Sequence, residues 1–583
     1  MRNRLCCALL VALALFLPLA AGAQMQNVTS PGAAQRAQGT DPWLALNLAY
    51  VEDWSAQQPF IDVMKTARAW IGHLPGQWGG WDYDDLAHGG YLDAQGWPVA
   101  LPPELEGIAT LILTAVPEAA TGAAARYRLI YEGRGDITLE GAVAQVSPAA
   151  GQSVGEISFT YVPGGAVLLT LRAIDPADPI RNIQVVREDH IALHAAGAFF
   201  NPDWLARIEG VNALRFMDWM RTNNSVQTAW EGRPQLDHYT WTRQGVPLEV
   251  MLALSAELSA DPWFTLPHLA DDAYIAAFAQ VVRDTLPPGR RVYVELSNEV
   301  WNWQFEQARW ADAGAQARWG AENQWLQFYT ARAIEMVRIW SDVFGPDGAE
   351  RLVRVISSQT GWLGLEEQVF DAPLWRAEAG NVGQDPADFF DAYAMTGYFG
   401  NALGSSDKAP MVRRWLAESL ARAEHSAASL TGQTRTDYIA AHRYDHAVSL
   451  ATQELRDGSV SGAGEDSLAN LLGNVLPYQA EVAARHGLDL IMYEGGSHVV
   501  PMWDVADDTA IVDFFIHLNY TQEMGELYRT LLSGWYALGG NLFNAFSDVD
   551  TPTRYGSWGA LRHLDDQNPR WDALVSFAPP GGD

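Results

Sequence analysis

Short runs of β-branched and aromatic residues recur along this 583-residue chain, several followed by stretches with apolar side chains at helical spacing. Runs of this kind read as buried strands of a parallel sheet, and the stretches between them as covering helices. The runs are Leu44–Tyr50, Ala213–Met217, Pro247–Leu254, Arg291–Glu299, Leu352–Ile356, Phe390–Tyr398, Leu488–Glu494 and Asn541–Phe546. Helical patterns lie at Phe60–Ile71, Asn323–Phe344, Leu468–Arg485 and Leu531–Leu538. Eight βα units close into a barrel of roughly 250 residues before insertions. The predicted fold class is therefore α/β, a (β/α)8 TIM barrel.

The surplus length has two places to go. Between Leu101 and Arg187 the rhythm changes to short, partly alternating segments punctuated by Gly, Pro, Ser and Asp. These are Ile108–Val116, Tyr127–Tyr131, Ile137–Val146, Glu156–Tyr161 and Ala166–Ile174, the pattern of an antiparallel β-sandwich. Residues 101–187 are read as a β-sandwich domain inserted after the first barrel strand, serving either as a carbohydrate-binding module or as packing on the barrel wall. Residues 41–100 hold the first strand, a helix and a loop, and 188–583 the rest of the barrel. A polar, partly helical excursion spans 401–464.

Residues 1–23 have the form of a secretory signal: Arg2 and Arg4, an apolar run from Leu9 to Leu19, then Ala21 and Ala23. Residues 24–40 form an Ala/Gly/Gln-rich leader. The run is too short to span a bilayer. Cys6 and Cys7 are the only cysteines and precede it, so the processed chain has neither disulfide nor thiol chemistry. The expected location is periplasmic or extracellular. A formal net charge of −32 argues against nucleic acid and anionic membranes as partners.

Two strand ends carry glutamates. Val292–Leu296 runs into Ser297-Asn298-Glu299 and then Trp301 and Trp303. Leu488-Asp-Leu-Ile-Met-Tyr493 runs into Glu494-Gly-Gly and His498. A carboxylate at the C-terminal lip of a barrel strand is where such folds place their chemistry. Two of them, each beside aromatics, suggest an acid pair across one pocket.

At these positions the chain resembles the retaining glycoside hydrolases of clan A. The resemblance makes Glu299, after Asn298, the acid/base at the end of the fourth strand, and Glu494 the nucleophile at the end of the seventh. Leu214-Arg-Phe-Met-Asp-Trp219 is similar to the clan's second-strand segment, which places Arg215 near the nucleophile. Tyr398 matches the aromatic donor to that carboxylate. The chain also resembles poorly characterised bacterial secreted proteins described as cellulose-binding, through Leu-Ser-Asn-Glu-Val-Trp-Asn302. The likeness covers the barrel, not the insert. It departs at the third strand, which ends in Ser255-Ala-Glu257 where a histidine is common, and at the eighth, which ends in Asn544-Ala-Phe546 where a tryptophan is common.

Retaining hydrolysis needs one protonated and one ionised carboxyl roughly 5–5.5 Å apart. Glu299 would protonate the departing oxygen. Glu494 would attack the anomeric carbon, kept ionised by Arg215 and Tyr398. Asn298 would hold the sugar 2-hydroxyl. Glu295 shares the side-chain parity of Glu299 and in a regular strand points into the barrel, with Arg215 as one candidate partner for its charge and either a structural role or tuning of the site as its task. Asp218, Trp219, Asn223 and Asn224 follow the second strand and either line the pocket or hold its loop. His498 is either a substrate contact or a loop histidine. Trp230, Trp362 and Trp558 are candidate stacking platforms among 24 tryptophans. The 13 histidines show no ligand spacing, so neither metal nor cofactor is expected. The expected activity is double-displacement cleavage of a polysaccharide or oligosaccharide, with a β-glycan such as cellulose or hemicellulose as first candidate. A carbohydrate-binding barrel without turnover is the alternative. Oligomeric state is not readable from the sequence.

Overall fold

The computed structural model describes residues 44–147 and 154–577. The proposed signal and the leader lie outside them. Eight parallel strands close into a barrel in chain order. They are Leu44–Asn47, Ala213–Arg215, Asp261–Leu266, Val292–Leu296, Leu352–Ser357, Ala392–Phe399, Asp489–Ser497 and Phe543–Phe546. The first strand closes the ring, pairing with the second from Ala45–Ala213 to Asn47–Arg215 and with the eighth from Leu44–Phe543 to Asn47–Phe546. The fourth strand is buried at every position, as a strand covered on both faces must be.

The third strand lies elsewhere than expected. Residues Leu248–Glu257 form an α-helix, and the strand is Asp261-Pro-Trp-Phe-Thr-Leu266. The Leu/Val/Met/Ala run at 247–254 is apolar on almost every side because the helix is nearly engulfed, so it shows no face that would separate it from a strand. With the strand relocated, its end is followed by Pro267-His268, and a histidine stands at the third strand after all.

The expected helix at Phe60–Ile71 is a single 3₁₀ turn, Val63–Thr66, followed by a strand at Ile71–His73. That strand joins a five-stranded antiparallel sheet with Gly80–Trp81, Gly107–Ile112, Gly135–Gly141 and Val167–Ile174. A second, four-stranded antiparallel sheet holds Ala125–Glu132, Val143–Ser147, Val154–Tyr161 and Arg181–Arg187. The segment expected as one strand over Ile137–Val146 is divided between the two sheets. Both contribute to one apolar cluster, including Ile108, Leu129, Phe159 and Leu171, separate from the cluster around the barrel. Residues 401–464 carry three helices, Ala409–Ser426, Gly432–His442 and Asp445–Asp457, with Val412, Trp415 and Val448 packed into the barrel cluster.

Closure of the barrel is reinforced beyond the sheet by Asp548, which follows the eighth strand. Its Oδ1 accepts from the Ala49 N–H (2.8 Å), just past the first strand, and its Oδ2 from Trp204 Nε1 (2.9 Å). The carboxyl is fully buried. Asp548→Ala orphans two buried donors and should lower unfolding stability by on the order of 2–4 kcal/mol. The drop is read as a shift of the urea midpoint at unchanged slope. A midpoint within error of the parent would show that the closure does not depend on this carboxyl.

Candidate active site

The C-terminal ends of the barrel strands converge on one guanidinium. Arg215 is wholly buried. Its Nη1 donates to Glu494 Oε1 (2.9 Å) and Asn47 Oδ1 (3.3 Å), and its Nη2 to Asn298 Oδ1 (2.8 Å) and Glu295 Oε2 (3.1 Å). Strands one, two, four and seven are thus joined through a single cation. Glu295 points inward as its parity required and also accepts from Trp263 Nε1 (3.1 Å) and the Ser357 hydroxyl (3.0 Å).

Glu494 takes a second donor, the Tyr398 hydroxyl, on Oε2 (3.0 Å). Glu299 accepts from the Tyr493 hydroxyl (3.0 Å) on one oxygen and from the Asn302 amide (3.0 Å) on the other. Burial, and then the nearby Glu494 and Glu299 charges, push both phenols far above the usual tyrosine range, so they stay donors. Ser297 and Glu299 both lie in the left-handed backbone region, at φ 60° and 41°. Such non-glycine strain clusters where a side chain must be aimed.

Two adjoining cavities open above these groups. The smaller, ≈ 420 Å³, is lined by Asn298, Glu299, Glu494, Asp218, Asn223 and Trp558 among others. The larger, ≈ 820 Å³, is lined by Glu299, Trp301, Trp303, Trp362 and Tyr493, with Glu465 and Asp466 from beyond the helical excursion. Glu299, Tyr398 and His498 border both. The two strand-end glutamates therefore face one cavity.

Not every expected residue does. Trp219 is fully buried against Phe60, Trp204 and Phe216, beneath the loop rather than in the pocket. Asn224 serves its loop: its Oδ1 accepts from the Glu306 N–H (2.8 Å), at the start of the helix Glu306–Trp319. Trp230 packs on Tyr274 and Phe278 and lines neither cavity. Arg215 reaches Glu494 from below and has no exposed surface for a ligand. The missing eighth-strand tryptophan has a stand-in: Trp558, from the loop that follows, packs edge-on against Phe546 and Tyr398.

No protein-family model and no curated protein matches the chain. Twenty-three solved chains match in structure. Among them is a GH51 arabinofuranosidase from Xanthomonas axonopodis pv. citri, at 11% identity and a TM-score of 0.31, over 64% of this chain and 65% of that one. Another is a GH5-4 broad-specificity endoglucanase from Bacteroides salanitronis, at 13% identity and 0.30, over 64% and 82%. A GH5 xyloglucanase from Bacteroides ovatus matches at 8% and 0.30, over 78% and 96%.

Several pocket residues were not among those expected. Tyr493 precedes Glu494 and by strict alternation would point away. The pairing with the sixth strand skips it: Met395 faces Met492 and Thr396 faces Glu494. This bulge turns consecutive side chains to one side, and no residue in the sequence signals it. Tyr50, Trp54 and Asp550 enter from loops after the first and eighth strands. Gln307 holds Asn298 in place, donating to its backbone carbonyl (2.8 Å) and to Asn223 Oδ1 (2.8 Å), which in turn accepts from the Asn298 side-chain amide (3.1 Å).

Arg215 and Tyr398 both favour the ionised Glu494, as expected of them, and burial opposes them. Desolvation raises its carboxyl to about 8; Arg215 pulls the other way, and the Glu299 and Asp218 charges push upward again. Interacting carboxyls titrate as a pair, so this pair holds a proton up to about pH 8. In Glu299→Gln one of the upward pushes is gone, and the Glu494 pKa should fall. A ¹³C-NMR titration of the labelled carboxyl reads the shift; an unchanged or higher value would mean that the two groups do not sense each other.

Proposed function

We propose that the protein is an exported retaining glycoside hydrolase, with Glu299 as acid/base and Glu494 as nucleophile. The observation that carries this reading is the shared cavity: two carboxyls from the fourth and seventh strand ends face it, each fixed by its own phenol. In the first step a Glu494 oxygen bonds to the anomeric carbon while the glycosidic C–O bond breaks and Glu299 passes its proton to the departing oxygen. In the second, Glu299 takes a proton from water, and the water oxygen displaces Glu494. The one proton of the pair must therefore sit on Glu299 when attack begins. Arg215 and Tyr398 stabilise the ionised Glu494 that this requires.

Asn298 spends one amide N–H on Asn223 and its carbonyl on Arg215. The second N–H is the group that would meet the sugar 2-hydroxyl. Trp301, Trp303 and Trp362 form the aromatic wall of the larger cavity. The substrate is a polysaccharide or oligosaccharide, a β-glycan in the first instance. The two antiparallel sheets are read as a sandwich domain inserted after the first strand, and residues 1–23 as the export signal.

Glu494→Ala should lose turnover by at least about 10⁴-fold, with partial rescue by azide and a glycosyl azide of inverted anomeric configuration as product. Glu299→Ala should keep more activity on substrates with good leaving groups, since these need less protonation. Wild-type rates in both variants would sink the assignment, and glycan binding without new reducing ends would favour a binding protein.

The acid limb of the pH profile is set by loss of the ionised nucleophile and the alkaline limb by loss of the last proton. kcat/KM should therefore fall as pH rises through about 8, the value of the Glu494 carboxyl. Activity still rising well above that pH would contradict the shared-proton account.

A further inference from the structure

The smaller cavity is acidic beyond what double displacement needs. Asp218 and Asp550 line it together with Glu299 and Glu494, and Glu465 and Asp466 line the larger one. Among the described residues, no lysine or arginine lines either. The basic group beneath, Arg215, has both terminal nitrogens engaged and no exposed surface. Neither Asp218 nor Asp550 forms an ion pair among the described residues.

Asp218 supplies a separate observation. Its side chain is 2% exposed. Oδ2 accepts from the Asn47 amide (3.1 Å), and the Tyr50 phenol and the Arg215 charge also favour the ionised carboxyl, against its burial. Neutral donors leave the charge of a buried carboxylate uncompensated, and its burial costs free energy until a cation comes close. Burial lifts Asp218 to about 7 and, with the Asp548 charge added, Asp550 to about 6. Both are groups that a neighbouring positive charge would stabilise.

Resting on the glycosidase reading of this cavity, we infer that the sugar bound beside Asp218 and Asp550 carries a free amine, making the substrate a β-glycan of glucosamine type. A neutral hydroxyl donates one hydrogen bond and brings no charge. An ammonium brings three donors and a full charge to carboxylates that form no ion pair among the described residues. Uronic or sulfated sugars would meet uncompensated like charge.

The test is calorimetric binding to the full chain carrying Glu299→Gln, which halts turnover. The probes are a β-1,4-linked glucosamine pentamer and cellopentaose, the same backbone with hydroxyls in place of the amines. The amino pentamer should bind at least ~10-fold tighter, a difference of about 1.4 kcal/mol, and added salt should shrink the advantage. Asp218→Asn and Asp550→Asn should each remove most of it, with an unchanged circular dichroism spectrum certifying the fold of each variant. Equal affinities, tighter cellopentaose, no capture of the amino pentamer, or a preference that survives both substitutions overturns the inference. Reducing-end release by the unmodified protein separates the two readings. Cleavage of neutral glycans alone would leave the hydrolase standing without its amine; Asp218-dependent capture without cleavage by the unmodified protein would keep the amine and remove the hydrolase.

Discussion

A guanidinium taken fully out of water has to be surrounded by charge and hydrogen-bond acceptors, or the barrel around it does not form. Arg215 meets that condition with Glu494, Glu295, Asn298 and Asn47. The arrangement works in both directions. Two carboxylates are tolerable in an apolar barrel mouth because one cation stands between them, and each of the four acceptors loses rotational freedom to the planar fork. Asn298 is fixed further by Gln307 and Asn223. A site held this way is organised before any ligand arrives, which is what a reaction with little tolerance in carboxyl placement demands.

The two glutamates are then distinguished by their surroundings rather than by their type. Glu494 is buried and touches the guanidinium; Glu299 sits at the border of both cavities and touches only neutral donors. Burial raises the Glu494 carboxyl while Arg215 opposes it. The competition leaves a proton on the pair at neutral pH. The same burial raises the Asp218 and Asp550 carboxyls at this end of the barrel.

Much of this was legible in the residues. The runs ending at Glu299 and Glu494 were short, β-branched and cut off by polar residues, and both strands stand where the pattern placed them. The partnership of Glu295 with Arg215 followed from side-chain parity and the rule that a buried charge needs a counter-charge. The third strand was misplaced because an engulfed helix and a buried strand are both uniformly apolar, while the true strand begins with Asp261 and Pro262. The same error concealed His268, which stands buried just past that strand. Trp219 and Trp230 look like binding-site tryptophans in sequence; only packing shows that they belong to the core.

The sequence by itself determined that eight βα units would form, and that glutamates would stand at two strand ends, because strand length, apolar content and the chemistry of a residue type are local properties. Tertiary structure decided which groups meet. The bulge that turns Tyr493 toward Glu299 arises from unequal pairing between the sixth and seventh strands. Trp54 and Asp550 reach the cavity because closing the ring brings the loops after its first and eighth strands together. Burial is likewise a property of the closed barrel rather than of any segment, and it is burial that sets the charge on Glu494.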